Sequence, residues 1–191
     1  LSRKQVQNHK QRFLFIYFLR HPLDRALSVY NFEKKQPAEV SLGAKMAKNM
    51  DFNEYILWRM RPDVPAAIRN QQTIYLSGMG PNEKNINERF LSALEWISRS
   101  STVGVVDEFA MSLARVVRVL NPFFDFPVVE VDIKNVQVAP DSTKIRDSIA
   151  SIKSRLDDEV FVKLRDANRM DYLLYTFAKS RLLADAGEGV V

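Results

Sequence analysis

The chain has 191 residues, 46% hydrophobic and 27% charged, which suits one globular domain or most of one. It contains no cysteine, so disulfides and thiolate metal sites are excluded, and reducing and oxidising compartments fit equally well. The formal charge of +5 suits anionic ligands without selecting one, and no apolar run approaches the ~20 residues a membrane helix needs.

Leu1 stands where a start Met would be, which reads as a fragment or a processed chain. Gln5 to Gln11 is a polar run that carries His9. Phe13 to Leu19 is then seven apolar or aromatic residues without polar alternation. That pattern predicts a strand buried on both faces, as in the middle of a parallel α/β sheet. Charge returns at Arg20, which places this cation at the strand's carboxyl end, where open α/β sheets bind ligands.

Pro22 suits a first helical position, because its missing N–H is not needed there. On a 3.6-residue period Leu23, Ala26, Leu27 and Tyr30 share one helix face; His21, Asp24, Arg25, Ser28 and Phe32 take the other. Ser28 lies two turns in, where Ala would favour the helix more. A helix start attracts anions, and Arg can clasp a phosphate through two parallel N–H bonds. Arg20 and Ser28 are therefore candidate phosphate ligands. A structural ion pair between Arg20 and Asp24 fits the same residues, and spacing alone leaves both readings open.

Lys34 to Asn49, broken by Pro37 and Gly43, reads as a surface loop. Phe52, Tyr55, Ile56 and Met60 predict a short helix with Asp51 near its cap. Ala66 to Leu76 predicts another, ended by Gly78 and Gly80. The Ser77–Asn82 stretch is not a phosphate loop, since no strand precedes it and no Gly-Lys-Ser/Thr follows. Asn87–Arg99 predicts an amphipathic helix, Thr102–Val106 a second buried strand, and Phe109–Leu120 a helix whose start Asp107 and Glu108 would cap. Val128–Ile133 alternates like an edge strand, and Lys134–Pro140 reads as a loop. Ser142 caps a helix carrying Ile145, Ile149, Ile152 and Leu156, and Asp157-Asp158 opens one final helix through Ala178. Residues 184–191 read as a frayed, disordered tail.

The run Arg20-His21-Pro22, with Arg25, Ser28 and Tyr30-Asn31-Phe32, resembles the 3′-phosphate-binding motif of sulfotransferases that use 3′-phosphoadenylyl sulfate (PAPS). Val103-Gly104-Val105-Val106-Asp107-Glu108-Phe109 is also similar to a sulfotransferase segment, and Asp171–Lys179 resembles the end of the carbohydrate-modifying, Golgi-type members. The similarity runs from about Arg12 to Leu182. It implies an α/β, P-loop-NTPase-like fold with a central parallel sheet flanked by helices. Residues 1–183 would be a partial domain that lacks the family's N-terminal strand–loop–helix, the part that holds the 5′-phosphosulfate.

The resemblance implies an enzyme moving a sulfuryl group from PAPS to a hydroxyl or amine of a carbohydrate-type acceptor. PAP would be the product and no metal would take part. Arg20 and Ser28 would bind the 3′-phosphate, with Lys134 and Asn135 reaching the cofactor from a loop. His9 is the candidate catalytic base, although a surface histidine fits it too. A Golgi location would require an anchor outside these residues; a bacterial protein would be cytoplasmic. No nucleic-acid partner is expected. The alternatives are a non-enzymatic anion-binding module for acidic glycans or nucleic acid, and a P-loop kinase relative. The second lacks a phosphate loop and a metal-binding acid in this sequence.

Overall fold

The computed structural model describes residues 13–80, 85–124 and 142–187. Within them the chain is a mixed α/β protein, mostly helical, with one small parallel sheet. Strand β1 (Ile16–Leu19) pairs with β2 (Thr102–Val105), Ile16 opposite Thr102 and Leu19 opposite Val105. Parallel neighbours need a long crossover, and here five helices supply it. They are α1 (Pro22–Lys35), α2 (Leu42–Asn49), α3 (Phe52–Arg59), α4 (Gln71–Leu76) and α5 (Ile86–Arg99). After β2 a single 3-10 turn leads into α6 (Phe109–Leu120), and α7 (Ser142–Ser154), α8 (Asp158–Asp166) and α9 (Arg169–Gly187) complete the described chain.

Two apolar cores result. In the first, α1 buries Leu23, Ala26 and Tyr30 against Phe52, Tyr55 and Ile56 of α3, Ile152 of α7, and Val160 and Leu164 of α8. In the second, Leu19, Val103 and Val105 pack one face of the sheet on Ala93 and Ile97 of α5 and Leu174, Ala178 and Leu182 of α9. The opposite sheet face meets α6: the Phe18 ring lies 6.0 Å from Phe109. Gly104 approaches Ser112 so closely that an added Cβ would sit 2.6 Å from the serine Cβ.

The structure corrects four of the sequence expectations about where elements begin, end and are buried. The first strand is four residues long and is not buried on both faces, since Phe18 is 41% exposed. Among the described residues β1 has a neighbour on one edge only, so its apolar run lines an open groove instead of a sheet interior. Residues 34–49 are not all loop. Helix α1 continues to Lys35, and Ser41 caps α2 by accepting from the Ala44 N–H at 3.0 Å. The small face of α2 (Gly43, Ala44, Ala47) then buries against its neighbours.

Third, the helix expected over 66–76 begins only at Gln71, because Asn70 turns left-handed (φ 46°) immediately before it. Fourth, the single final helix is two, divided at Asn168. Its side-chain N–H groups donate to the carbonyls of Leu164 and Ile68, both at 2.8 Å, and so satisfy the end of α8. Helix α9 runs to Gly187, and residues 188–191 of the expected tail lie outside the described residues.

The capping box on α3 is present, with Asp51 and Glu54 each accepting from the other's backbone N–H at 2.9 and 3.0 Å. Residues 77–80 end a helix, as the glycines suggested: Ser77 follows α4 and Gly78 takes φ 63°. The expected strand at 128–133 and loop at 134–140 lie outside the described residues. Among the described residues no helix is long and apolar enough to cross a membrane.

Candidate functional site

Arg20 follows the last residue of β1 and Pro22 starts α1, so the cation stands at the seam of the two cores. Its Nη1 donates to Ser28 Oγ at 2.7 Å. Its Nε donates to Asp24 Oδ2 in an i,i+4 ion pair. The two sequence-level readings of Arg20 therefore coexist. Spacings of four and eight residues put Asp24 and Ser28 on one helix face, below the strand end.

Asp24 is held from the far side by Ser148 of α7, whose hydroxyl donates to Oδ1 at 2.8 Å. The Arg20 side chain remains 38% exposed. Its Nη2 and the Ser28 hydroxyl proton have no partner among the described residues. The Arg20 guanidinium, just before α1, and the Ser28 hydroxyl, two turns into it, thus stand side by side, and such groups can take a phosphate oxygen.

The backbone of Arg20 is held as firmly as its side chain. Its N–H donates to Gln72 Oε1, and Gln72 Nε2 donates to its carbonyl, both at 2.9 Å. Beside it lies a cleft of about 470 Å³ lined in part by Tyr17, Phe18, Arg20, Arg25, Gln72 and Tyr75. Arg25 donates to the Ala67 carbonyl at 2.7 Å. Burial pulls its pKa below the ordinary arginine value, opposed by Asp171 and aided by Arg20.

A second titratable cluster lies at the carboxyl end of both strands. His21 sits edge-on to Tyr172 and Tyr175, with ring centroids 5.1 and 5.3 Å away. Burial lowers its pKa to about 4, against the attraction of Asp107 and Asp24, so the ring is neutral at pH 7. It makes no capping hydrogen bond to α1. Asp107 and Glu108 do not cap α6, which corrects the sequence expectation. Asp107 accepts from the Tyr175 hydroxyl at 2.6 Å and from Lys179 at 2.7 Å, and Glu108 pairs with Lys179 at 2.9 Å. Burial alone would lower the Lys179 pKa, but the two carboxylates outweigh it and hold the ammonium above its ordinary value.

Of the predicted site residues, Arg20 and Ser28 are brought into contact. His9, Lys134 and Asn135 lie outside the described residues. Gln72, Ser148 and Asp171 were not singled out as site residues from sequence. Their contacts with the site cross 52 to 124 residues, and nothing in the local pattern of Gln72 or Ser148 marks them. Among the described residues no three His, Asp or Glu side chains gather as a metal site would require.

No protein-family model matches the chain, and no solved structure matches it significantly. It is similar to an uncharacterized protein of Archaeoglobus fulgidus, 30% identical over 163 residues, which is 84% of this chain. The match spans 63% of that relative's length.

Proposed function

We propose that these residues carry the 3′-phosphate-binding half of a PAPS-dependent sulfotransferase with a P-loop-like fold, acting on a hydroxyl or amine of a carbohydrate-type acceptor. The supporting observation is the Arg20–Ser28 contact of 2.7 Å at the carboxyl end of a parallel strand, with the Arg20 side chain 38% exposed. In the reaction the acceptor oxygen or nitrogen bonds to sulfur and the bond from sulfur to the bridging oxygen breaks. PAP leaves, and the acceptor proton passes to a base, for which His9 is the candidate. Arg20 and Ser28 would anchor the nucleotide through its 3′-phosphate, and Lys134 and Asn135 would close over it.

The fit is not without competition. Asp24 already takes one edge of the guanidinium, so a phosphate would bind beside a carboxylate and rely on Nη2 and Ser28. That ion pair favours a second reading, in which Arg20 only ties β1 to α1.

Calorimetry with PAP separates the two. Arg20→Ala is expected to weaken PAP binding by about 1.5–3 kcal/mol, the range for hydrogen bonds to charged groups, and Ser28→Ala by less. PAP affinity unchanged in both variants of a chain that binds PAP leaves only the structural role. PAP binding without sulfuryl transfer, by this chain and by a version extended upstream alike, favours the anion-binding module.

A further inference from the structure

We propose that Gln72, fixed by Asp171, is the positioning residue of the Arg20 site; this rests on the reading of that site as a nucleotide phosphate site. The side-chain amide of Gln72 does for Arg20 what a neighbouring strand would do. One N–H···O bond runs each way between them, and both are 2.9 Å long. In a strand, successive residues turn their backbone groups to opposite edges. Phe15, Tyr17 and Leu19 turn theirs toward β2, as the bond from the Ser101 N–H to the Phe15 carbonyl shows. Ile16, Phe18 and Arg20 therefore turn theirs to the open edge. Among the described residues Gln72 closes that edge at Arg20, the residue that carries the candidate cation.

The amide can do this because its own backbone is pinned. Asp171, 1% exposed, accepts from the Gln72 N–H at 3.0 Å and from the Thr73 N–H and hydroxyl, both at 2.7 Å. It caps α4 from outside that helix. The favour is returned: Asn70 Oδ1, just before α4, accepts from the N–H groups of Met170 and Asp171 in the first turn of α9. Asn168 Oδ1 in turn accepts from the Asn70 N–H at 3.1 Å. Each helix start is thus satisfied by a side chain from the other. A rigid path runs from α9 through Asp171 and Gln72 to the Arg20 backbone. With the Arg20 backbone fixed, its side chain leaves the strand in one direction, toward Ser28.

The test is a double-mutant cycle with PAP as the probe, using Gln72→Leu, Arg20→Ala and the pair. Gln72→Leu removes both amide bonds at similar volume. We expect it to weaken PAP binding about tenfold on its own and to add nothing in the Arg20→Ala background, because Gln72 acts through Arg20. We also expect amide hydrogen exchange at Arg20 to accelerate in Gln72→Leu while exchange in α3 stays unchanged. A merely structural glutamine would lower affinity equally in both backgrounds. That additive result overturns the proposal, as does unchanged affinity in Gln72→Leu when Arg20→Ala binds more weakly. Neither outcome touches the phosphate-site reading. If the wild-type chain binds no PAP, that reading falls first and the positioning role falls with it.

Discussion

The helical core and the sheet core solve the same problem with different completeness. Around α1, α2 and α3 the core holds a buried polar cluster whose members pair with one another. Arg59, 5% exposed, reaches Glu33 across the small face of α2, while Tyr55 donates to Glu33 at 2.6 Å and accepts from Arg59 at 2.8 Å. Gly43 makes room for this pair, since any Cβ there would collide with both partners. The sheet core is covered on its faces by α5, α6 and α9, yet one edge of β1 stays open among the described residues, with Phe18 and Tyr75 (80% exposed) beside it. Exposed apolar strand edges are sites where another strand adds. The candidate site lies where the closed core meets the open one, so one side of Arg20 is rigid scaffold and the other is accessible.

The sharpest way to break this contrast is to strip the helical core of its internal ion pair. Arg59→Ala leaves the Glu33 carboxylate and the Tyr55 hydroxyl facing each other without a cation. Removing one partner of a buried pair is expected to cost about 3–5 kcal/mol. Urea unfolding checks this, and a loss below about 1 kcal/mol means that water already reaches the pair.

A smaller loss is expected from crowding the sheet core. Gly104→Val places its Cβ against Ser112, whose hydroxyl holds the Val105 N–H at 2.9 Å, and against the Phe18 ring. Overpacking of this kind costs about 1–3 kcal/mol. The open edge of β1 lets Phe18 swing aside, so the strain concentrates on α6. Gly104→Val that unfolds at the same urea concentration as wild type would show that α6 is loosely seated on the sheet.

The contrast also explains what could be read from the residues in order. Elements set by local rules were legible. Pro22 starting α1, the Asp51–Glu54 box and the apolar spacing of α5 follow from neighbours within a few positions. So was the shared face of Asp24 and Ser28, four residues apart in α1, which brings both to Arg20. Features decided by distant partners were not. The apolar run 13–19 looks the same whether one edge or two are paired, so burial on both faces was a fair expectation that the sheet did not meet. The division of the last helix at Asn168 depends on Ile68 and Asn70, about a hundred residues away. Asp107 and Glu108 looked like caps because carboxylates at a helix start usually are, but Lys179 claims both of them. Gln72 carried no local signal at all.

The smallest expected effect is a pH dependence that belongs to the seam itself. His21 sits between the two cores, with Tyr172 and Tyr175 against its ring and Asp107, Asp24 and Lys179 acting on it through space. Burial holds its folded pKa near 4, below the ordinary 6.5 of the unfolded chain. Between these values the unfolded state binds the proton and the folded state does not, so stability falls as pH drops from about 6.5 to 4. Above that window the ring is neutral in both states and contributes no slope; below it the penalty is complete. Discounted for the partial exposure of the ring, the loss is about 1–2 kcal/mol, or roughly 3–6 °C in Tm for a chain of this size. His21→Phe keeps the edge-on aromatic packing and removes the proton, so its Tm is expected to vary less than wild type across the same window. Tm curves of identical slope in the two proteins would make His21 a packing residue only.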